Sequence, residues 1–180
     1  MPAPSSEPIA GEIVLRRLDP ARDSYAALTA LLHRAYAGQV AMGLRPLAGR
    51  QDEATTRRRC ESGECYIAAL DTRIVGTILF QEVEEAALPP HFLRPGVAHF
   101  SLFAVDPGHQ GHGIGGLLLA LVESRARTLG FGDLALSMAE PDAALLRFYD
   151  HRGYRFIEHW RWPYTNYRSA ILSKGISAAS

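Results

Sequence analysis

The sequence predicts a single mixed α/β domain, on three observations. Segments of strand period and helical period alternate in the order β-α-(α)-β-β-β-α-β-α-β-β, with no internal repeat and no linker. The 180 residues suit one hydrophobic core, and the 47% apolar and 21% charged shares are those of an ordinary globular chain. Finally, a long apolar strand, a glycine-rich loop and a strong amphipathic helix follow one another over Val97–Leu129.

Glu12–Arg17 alternates as a first strand, which Asp19-Pro20 breaks. Ser24–Ala37 is apolar at Tyr25, Leu28, Leu31, Leu32 and Ala35, a helical spacing. Gly38–Arg50, with two more glycines and Pro46, is expected to be irregular or briefly helical. Asp52–Ser62 predicts a helix stopped by Gly63, and its consecutive Arg57, Arg58 and Arg59 fan outward as a solvated surface. Cys65–Leu70 and Ile74–Glu84 form a hairpin around Asp71-Thr72-Arg73. Glu85–Gly96 carries three prolines and is a loop. Val97–Val105 is a strand buried on both faces, ended by Asp106-Pro107-Gly108. Ile114–Leu129 has one apolar stripe and a stop at Gly130. A short strand Leu134–Met138 precedes a helix Asp142–Arg152 with Asp142 as N-cap, and strands Phe156–Trp162 and Tyr167–Lys174 close the chain. Residues 1–10 are expected to be a disordered leader, 11–175 the domain and 176–180 a tail.

Lys plus Arg and Asp plus Glu both number 19, so no global field favours nucleic acid or an anionic membrane, and neither is expected as a partner. The N-terminus has neither the basic nor the apolar region of a secretory signal. Cys60 and Cys65 are too few for a disulfide framework and read as ordinary thiols in a reducing cytoplasm.

The loop before the strongest helix has glycine at 111, 113, 115 and 116. Glycines let a backbone approach a ligand, and a helix start offers unpaired N–H groups and the positive end of its dipole, so the turn suits a phosphate. Gly111-x-Gly113-x-x-Gly116 formally fits a dinucleotide fingerprint. However, Asp106 to Gln110 separate it from the strand, and too little chain follows for a doubly wound sheet. A nucleoside-triphosphate loop would need a lysine that is not there. A glycine-rich helix entry without a ligand is the bland alternative.

Gln110-x-x-Gly113-x-Gly115 after a strand ending at Val105 resembles the signature of the GCN5-related N-acetyltransferase (GNAT) superfamily. Asp142–Phe156, with a helix ending near Tyr149 and an aromatic strand after Gly153, is similar to that family's second motif, although the family often has Asn where Asp142 stands. The order of elements agrees from Glu12 to Lys174. The resemblance implies a mixed, mostly antiparallel sheet of six to seven strands, splayed between strands 4 and 5 and flanked by about four helices. It implies acetyl-CoA as co-substrate and no metal. The pantetheine arm would pair with the backbone of Phe103, Ala104 and Val105, and the pyrophosphate would sit on the turn Gln110, Gly111, His112, Gly113, Ile114, Gly115 and Gly116. A small-molecule amine or a peptide or protein amine would be the acceptor, and a homodimer is allowed. The rival classes are a non-catalytic acyl-CoA-binding regulatory module and a dinucleotide-dependent enzyme.

An alkyl amine with a pKa near 10.4 must lose a proton before it attacks. His99 lies six residues before Val105, so on a regular strand the two face the same side, and an imidazole suits the task of base. Glu82 is the second candidate. Each is equally readable as a structural residue, a satisfied strand histidine or an exposed charge. By the same resemblance Tyr149 is the general acid, and the Val105 N–H would donate to the acetyl oxygen. A tyrosine of pKa ~10 protonating a thiolate of pKa ~8.5 works uphill by about 2 kcal/mol, so Tyr149 has a lowered pKa or acts as a hydrogen-bond donor. The competing reading makes it a core aromatic. His109 and His112 read as surface residues, too few for a metal. On the acceptor side, Glu82, Glu84 and Glu85 suit a cationic amine or a solvated strand end, and Trp160, Trp162, Tyr164 and Tyr167 an aromatic wall or a packing face.

Overall fold

A computed structural model describes residues 9–177. It is one seven-stranded sheet in the order β1-β2-β3-β4-β5-β7-β6. The strands are β1 (Ile13–Arg17), β2 (Glu64–Leu70), β3 (Arg73–Phe80), β4 (Val97–Val105), β5 (Asp133–Ala139), β6 (Arg155–Trp160) and β7 (Ser169–Gly175). Only β4 and β5 run parallel, and every other pair is antiparallel. The helices are α1 (Tyr25–Ala35), α2 (Ala37–Ala41), α3 (Glu53–Ser62), α4 (Ile114–Thr128) and α5 (Ala143–Asp150).

Local chemistry sets the helix starts. The side chains of Ser24, Asp52 and Asp142 each accept a backbone N–H from the first turn, as N-caps do. On one sheet face Ile114, Leu118, Val122 and Ala126 of α4 pack on Ala98, Phe100, Leu134 and Leu136. On the other, Leu28, Leu31 and Leu32 of α1 meet Leu79, Leu102 and Ala104. A fully buried Leu such as Leu118 contributes about 1.5–3 kcal/mol.

The second hairpin strand ends earlier than its apolar pattern suggests. Gln81 has φ +58°, so the chain leaves the sheet after Phe80, and Glu82 and Glu84 stand beyond the strand. Part of the expected irregular segment is the short helix α2, followed by a 3-10 turn at Leu47–Gly49. Gly63 does stop α3, but in an extended conformation, where a Cβ would come within 2.6 Å of the Phe80 carbonyl oxygen. Gly130 is the left-handed stop, with φ +84°.

The expected leader and tail lie largely outside the described residues. Of what is described there, Ile9 packs on the core and Ile176 is buried, its carbonyl accepting from Arg127. Cys60 and Cys65 are free and buried. Among the described residues no helix is long and apolar enough to cross a membrane.

Candidate active site

The parallel pairing of β4 with β5 stops at Phe100 opposite Leu136. The remaining residues of β4 instead follow β3, with Ala104 opposite Thr77 and Val105 opposite Gly76. The two strands therefore part, and a cleft of about 800 Å³ opens through the gap.

A bulge in β4 decides which side chains face which side of it. Leu102 has φ +46°, and two residues of β4 oppose one of β3 between Thr77 and Leu79. Phe100, Phe103 and Val105 pack with α4 and α5, whereas Leu102 and Ala104 pack with α1 and α3. The bulge shifts the alternation by one, so His99 and Val105 face opposite sides. The equal-parity expectation for these residues is corrected by that inserted residue.

At one end of the cleft lies the glycine turn. Gly111 (φ +80°) and Gly113 (φ +81°) are left-handed, and Gly113 is the N-cap of α4, with no side chain capping the helix start. Gly111, Gly113, Gly115 and Gly116 all line the cleft, which leaves the first-turn amides open to an anion. Gln110 reaches back to the Val105 carbonyl (3.3 Å), and His112 Nδ1 lies 3.0 Å from the Gln110 carbonyl. Among the described residues no three His, Cys, Asp or Glu converge as metal ligands.

In the wall between the strands sits Tyr149, buried among the rings of Phe100, Phe103, Phe148 and Tyr154. Burial, helped by Tyr36, pushes its pKa well above the usual tyrosine value. Its hydroxyl has no hydrogen-bond partner among the described residues.

His99, Glu82 and Ser101 come together on the opposite side of β4. The His99 ring stacks on Phe92 (4.7 Å between centroids, 9° between planes), and its Nε2 lies 3.0 Å from the Glu82 carbonyl. A carbonyl only accepts, so Nε2 carries the proton and Nδ1 keeps its lone pair. Burial lowers the His99 pKa. The Glu82 carboxylate is gripped by Arg59, with Nε 2.5 Å from Oε1 and Nη2 3.1 Å from Oε2, and it also accepts from Ser101 Oγ.

The profile of the acetyltransferase (GNAT) family matches residues 26–154. The chain belongs to the GNAT acetyltransferase family. It is 31% identical over 140 residues to the S-(2-succino)cysteine N-acetyltransferase of Bacillus subtilis (strain 168), which covers 77% of this chain and 82% of that protein. Its fold is similar to a ribosomal-protein alanine N-acetyltransferase of Escherichia coli (TM-score 0.68, 18% identity, 94% of this chain and 97% of the other). It is also similar to a GNAT acetyltransferase of Elizabethkingia anophelis with acetyl-CoA bound (TM-score 0.63, 17% identity, 91% and 97%).

The chain is thus an acetyltransferase of this family, and its splayed sheet is the one the family resemblance implies. Sequence reasoning missed several residues of this cleft. Arg59 was expected on a solvated fan, yet only 14% of its side chain is exposed, while Arg57 and Arg58 do stay outside, beside Glu61 and Glu85. The only signal was the length of an arginine, which lets it turn inward where a carboxylate waits. Tyr36, whose hydroxyl lies 3.3 Å from the Phe103 carbonyl, is near the end of the segment read as helix but lies off its apolar spacing, and Gln39, which bonds the Asp142 carboxylate (3.0 Å), sits in the stretch expected to be irregular or briefly helical. The aromatic wall is divided. Trp162 and Tyr164 stack at 14° and line the cleft with Tyr167, whereas Trp160 turns into a small core with Phe92 and Ile171.

Proposed function

We propose that this GNAT acetyltransferase moves the acetyl group of acetyl-CoA to a primary amine by direct attack within a ternary complex. One observation carries the reading. A single cleft passes through the β4–β5 gap, with an uncapped glycine-rich helix start at one end and His99 on the far side of the same strand. Gly111, Gly113 and Gly116 have no atom within 4 Å of where a Cβ would stand, so the turn has room for a pyrophosphate. The backbone of Phe103 to Val105, beyond the end of the β5 pairing, suits the pantetheine arm.

In this reading His99 takes the proton of the amine, directly or through a water, because burial keeps it neutral at pH 7. Glu82 is the weaker base, because Arg59 and Ser101 already occupy both carboxylate oxygens. Its carbonyl fixes the His99 tautomer instead. The raised pKa of Tyr149 favours the hydrogen-bond donor over the acid of lowered pKa. It stays protonated and donates a hydrogen bond to the departing sulfur rather than supplying a free proton cheaply. The amine nitrogen bonds to the acetyl carbon, the carbon–sulfur bond breaks with its electron pair going to sulfur, the proton lost from nitrogen goes to His99 or its water, and the thiolate takes a proton from solvent.

The Bacillus subtilis relative acts on S-(2-succino)cysteine, and an amino-acid acceptor of that kind is the alternative for this chain. Acetyl-CoA is expected to raise the melting temperature, and NADH to leave it unchanged, because only a ligand of the folded state stabilises it. Thiol release that depends on an added amine then tests transfer. Acetyl-CoA binding with no release for any amine would leave a non-catalytic binding module.

A further inference from the structure

The charges in the acceptor half of the cleft do not balance. Resting on the acetyl transfer proposed above, the geometry points to an acceptor with a second cationic centre besides the attacking nitrogen, a diamine or polyamine rather than an amino acid. Of the arginines lining the cleft, Arg152 lies 3.6 Å over the Phe148 ring on the donor side. Arg59 is the other, and its three nitrogens are engaged, two with Glu82 and Nη1 with Gln51 Oε1 at 2.7 Å. Neither offers a free guanidinium to a substrate carboxylate in the acceptor half. Buried His99 is neutral there.

Glu84 is the unbalanced charge. Its Oε2 accepts from the Tyr164 hydroxyl (2.8 Å), its Oε1 from the backbone amides of Glu85 and Ala86, and no Lys or Arg pairs with it among the described residues. Tyr164 stacks on Trp162, 5.7 Å between centroids, and both rings line the cleft with Glu84. A carboxylate in a cleft lined by two aromatic rings favours a cation through direct charge and through the ring quadrupoles. The attacking nitrogen cannot be that cation. It must be neutral to form its bond to the acetyl carbon, and a carboxylate holding it would keep its proton on. A second ammonium that stays charged meets no such conflict. Glu84 would hold it while the free amine reaches the acetyl group, and the products are the mono-N-acetylated diamine and the free thiol of CoA.

A matched series tests this: 1,4-diaminobutane, butylamine and 4-aminobutanoate, with thiol release from acetyl-CoA as the readout. The diamine is expected to exceed butylamine in kcat/KM by roughly tenfold or more, with 4-aminobutanoate lowest. Glu84→Gln is expected to bring the diamine-to-monoamine ratio towards one through KM, its fold being verified by stabilisation with acetyl-CoA. A 4-aminobutanoate rate equal to the diamine's, a ratio unchanged in Glu84→Gln, or acetyl-CoA stabilisation with no release from the diamine would each overturn the acceptor class. Turnover of 4-aminobutanoate alone would overturn it while leaving acetyl transfer standing. If acetyl-CoA neither stabilises the protein nor releases thiol with any amine, the proposed transfer falls, and the acceptor class with it.

Discussion

Arg59 Nε stands 2.5 Å from Glu82 Oε1 in a pair almost closed to solvent, with side chains 14% and 7% exposed. The pair joins α3 to the chain just beyond β3, and Gln51 and Thr56 extend it towards α1 through Thr29. Glu82→Gln keeps the shape and strands the guanidinium, so a loss of about 3–5 kcal/mol is expected. For a chain of this size that lowers Tm by roughly 6–20 °C. Replacing both residues by Leu is expected to recover part of the loss, because no charge is left buried alone. Calorimetric melting of the three variants checks this, and an unchanged Tm in Glu82→Gln would rule out a buried pair.

His99 should shape the acidic side of the pH–rate profile. Burial disfavours its cation, so its folded pKa lies below the ordinary 6.5. The base is unprotonated at pH 7, and kcat/KM is expected to fall only as pH drops through a midpoint below 6.5. His99→Ala is expected to lose both that limb and most of the rate. The same shift has a stability sign. The unfolded chain takes up the proton first, so the contribution is present above about 6.5 and is lost as pH falls through the folded value. An acidic limb that persists unchanged in His99→Ala would assign the base elsewhere.

How much of this was legible beforehand follows from the range of each interaction. The cap at Asp142, the helix starts at Ser24 and Asp52, the stripe of α4 and the glycine turn are local patterns, and all stand in the structure. The bulge at Leu102 was not legible, because nothing in Ser101-Leu102-Phe103 marks an inserted residue and it takes the partner strand to show it. One residue of slip then reversed the relation between His99 and Val105. Arg59 and Glu82 lie 23 residues apart, and each alone reads as a surface charge. Only the fold brings them within hydrogen-bonding distance.

Glu64 gives a second pH dependence, on stability alone. Arg125 holds its carboxyl down to about 2 through paired hydrogen bonds of 2.9 Å. A depressed carboxylate stabilises the fold above its unfolded pKa and loses that effect as pH falls through the folded value. Stability is therefore expected to decline between about pH 4.5 and 2, and Arg125→Gln to flatten that part of the curve. Urea unfolding at pH 5, 4 and 3 measures it. The pair is partly exposed, so the gain is a modest one.

Gly113 and Gly116 separate backbone conformation from space. Neither has an atom within 4 Å of a built Cβ, but only Gly113 is left-handed, at φ +81°. Gly113→Ala is expected to cost about 1–2 kcal/mol in strain and to weaken acetyl-CoA binding by displacing the amides of the turn. Gly116→Ala sits within α4 and is expected to hold or slightly raise stability, since alanine favours helix by up to about 1 kcal/mol over glycine. Equal losses in the two variants would contradict the conformational account.

Tyr149→Phe isolates one hydroxyl. The ring is buried among four aromatic rings, and Phe preserves those contacts, so Tm is expected to change little. Among the described residues the hydroxyl has no partner whose loss would be felt in the free enzyme. If it donates to the sulfur, its contribution is made as charge develops there, and the loss falls on kcat rather than on acetyl-CoA affinity. Turnover is therefore expected to drop roughly tenfold or more while acetyl-CoA still raises the melting temperature. Because the pKa of Tyr149 lies well above the usual value, no alkaline limb from its ionisation is expected up to about pH 10 in the parent enzyme. An unchanged kcat in Tyr149→Phe would reduce the residue to a core aromatic, and a limb near pH 8 that this substitution removed would show a lowered pKa and a true acid.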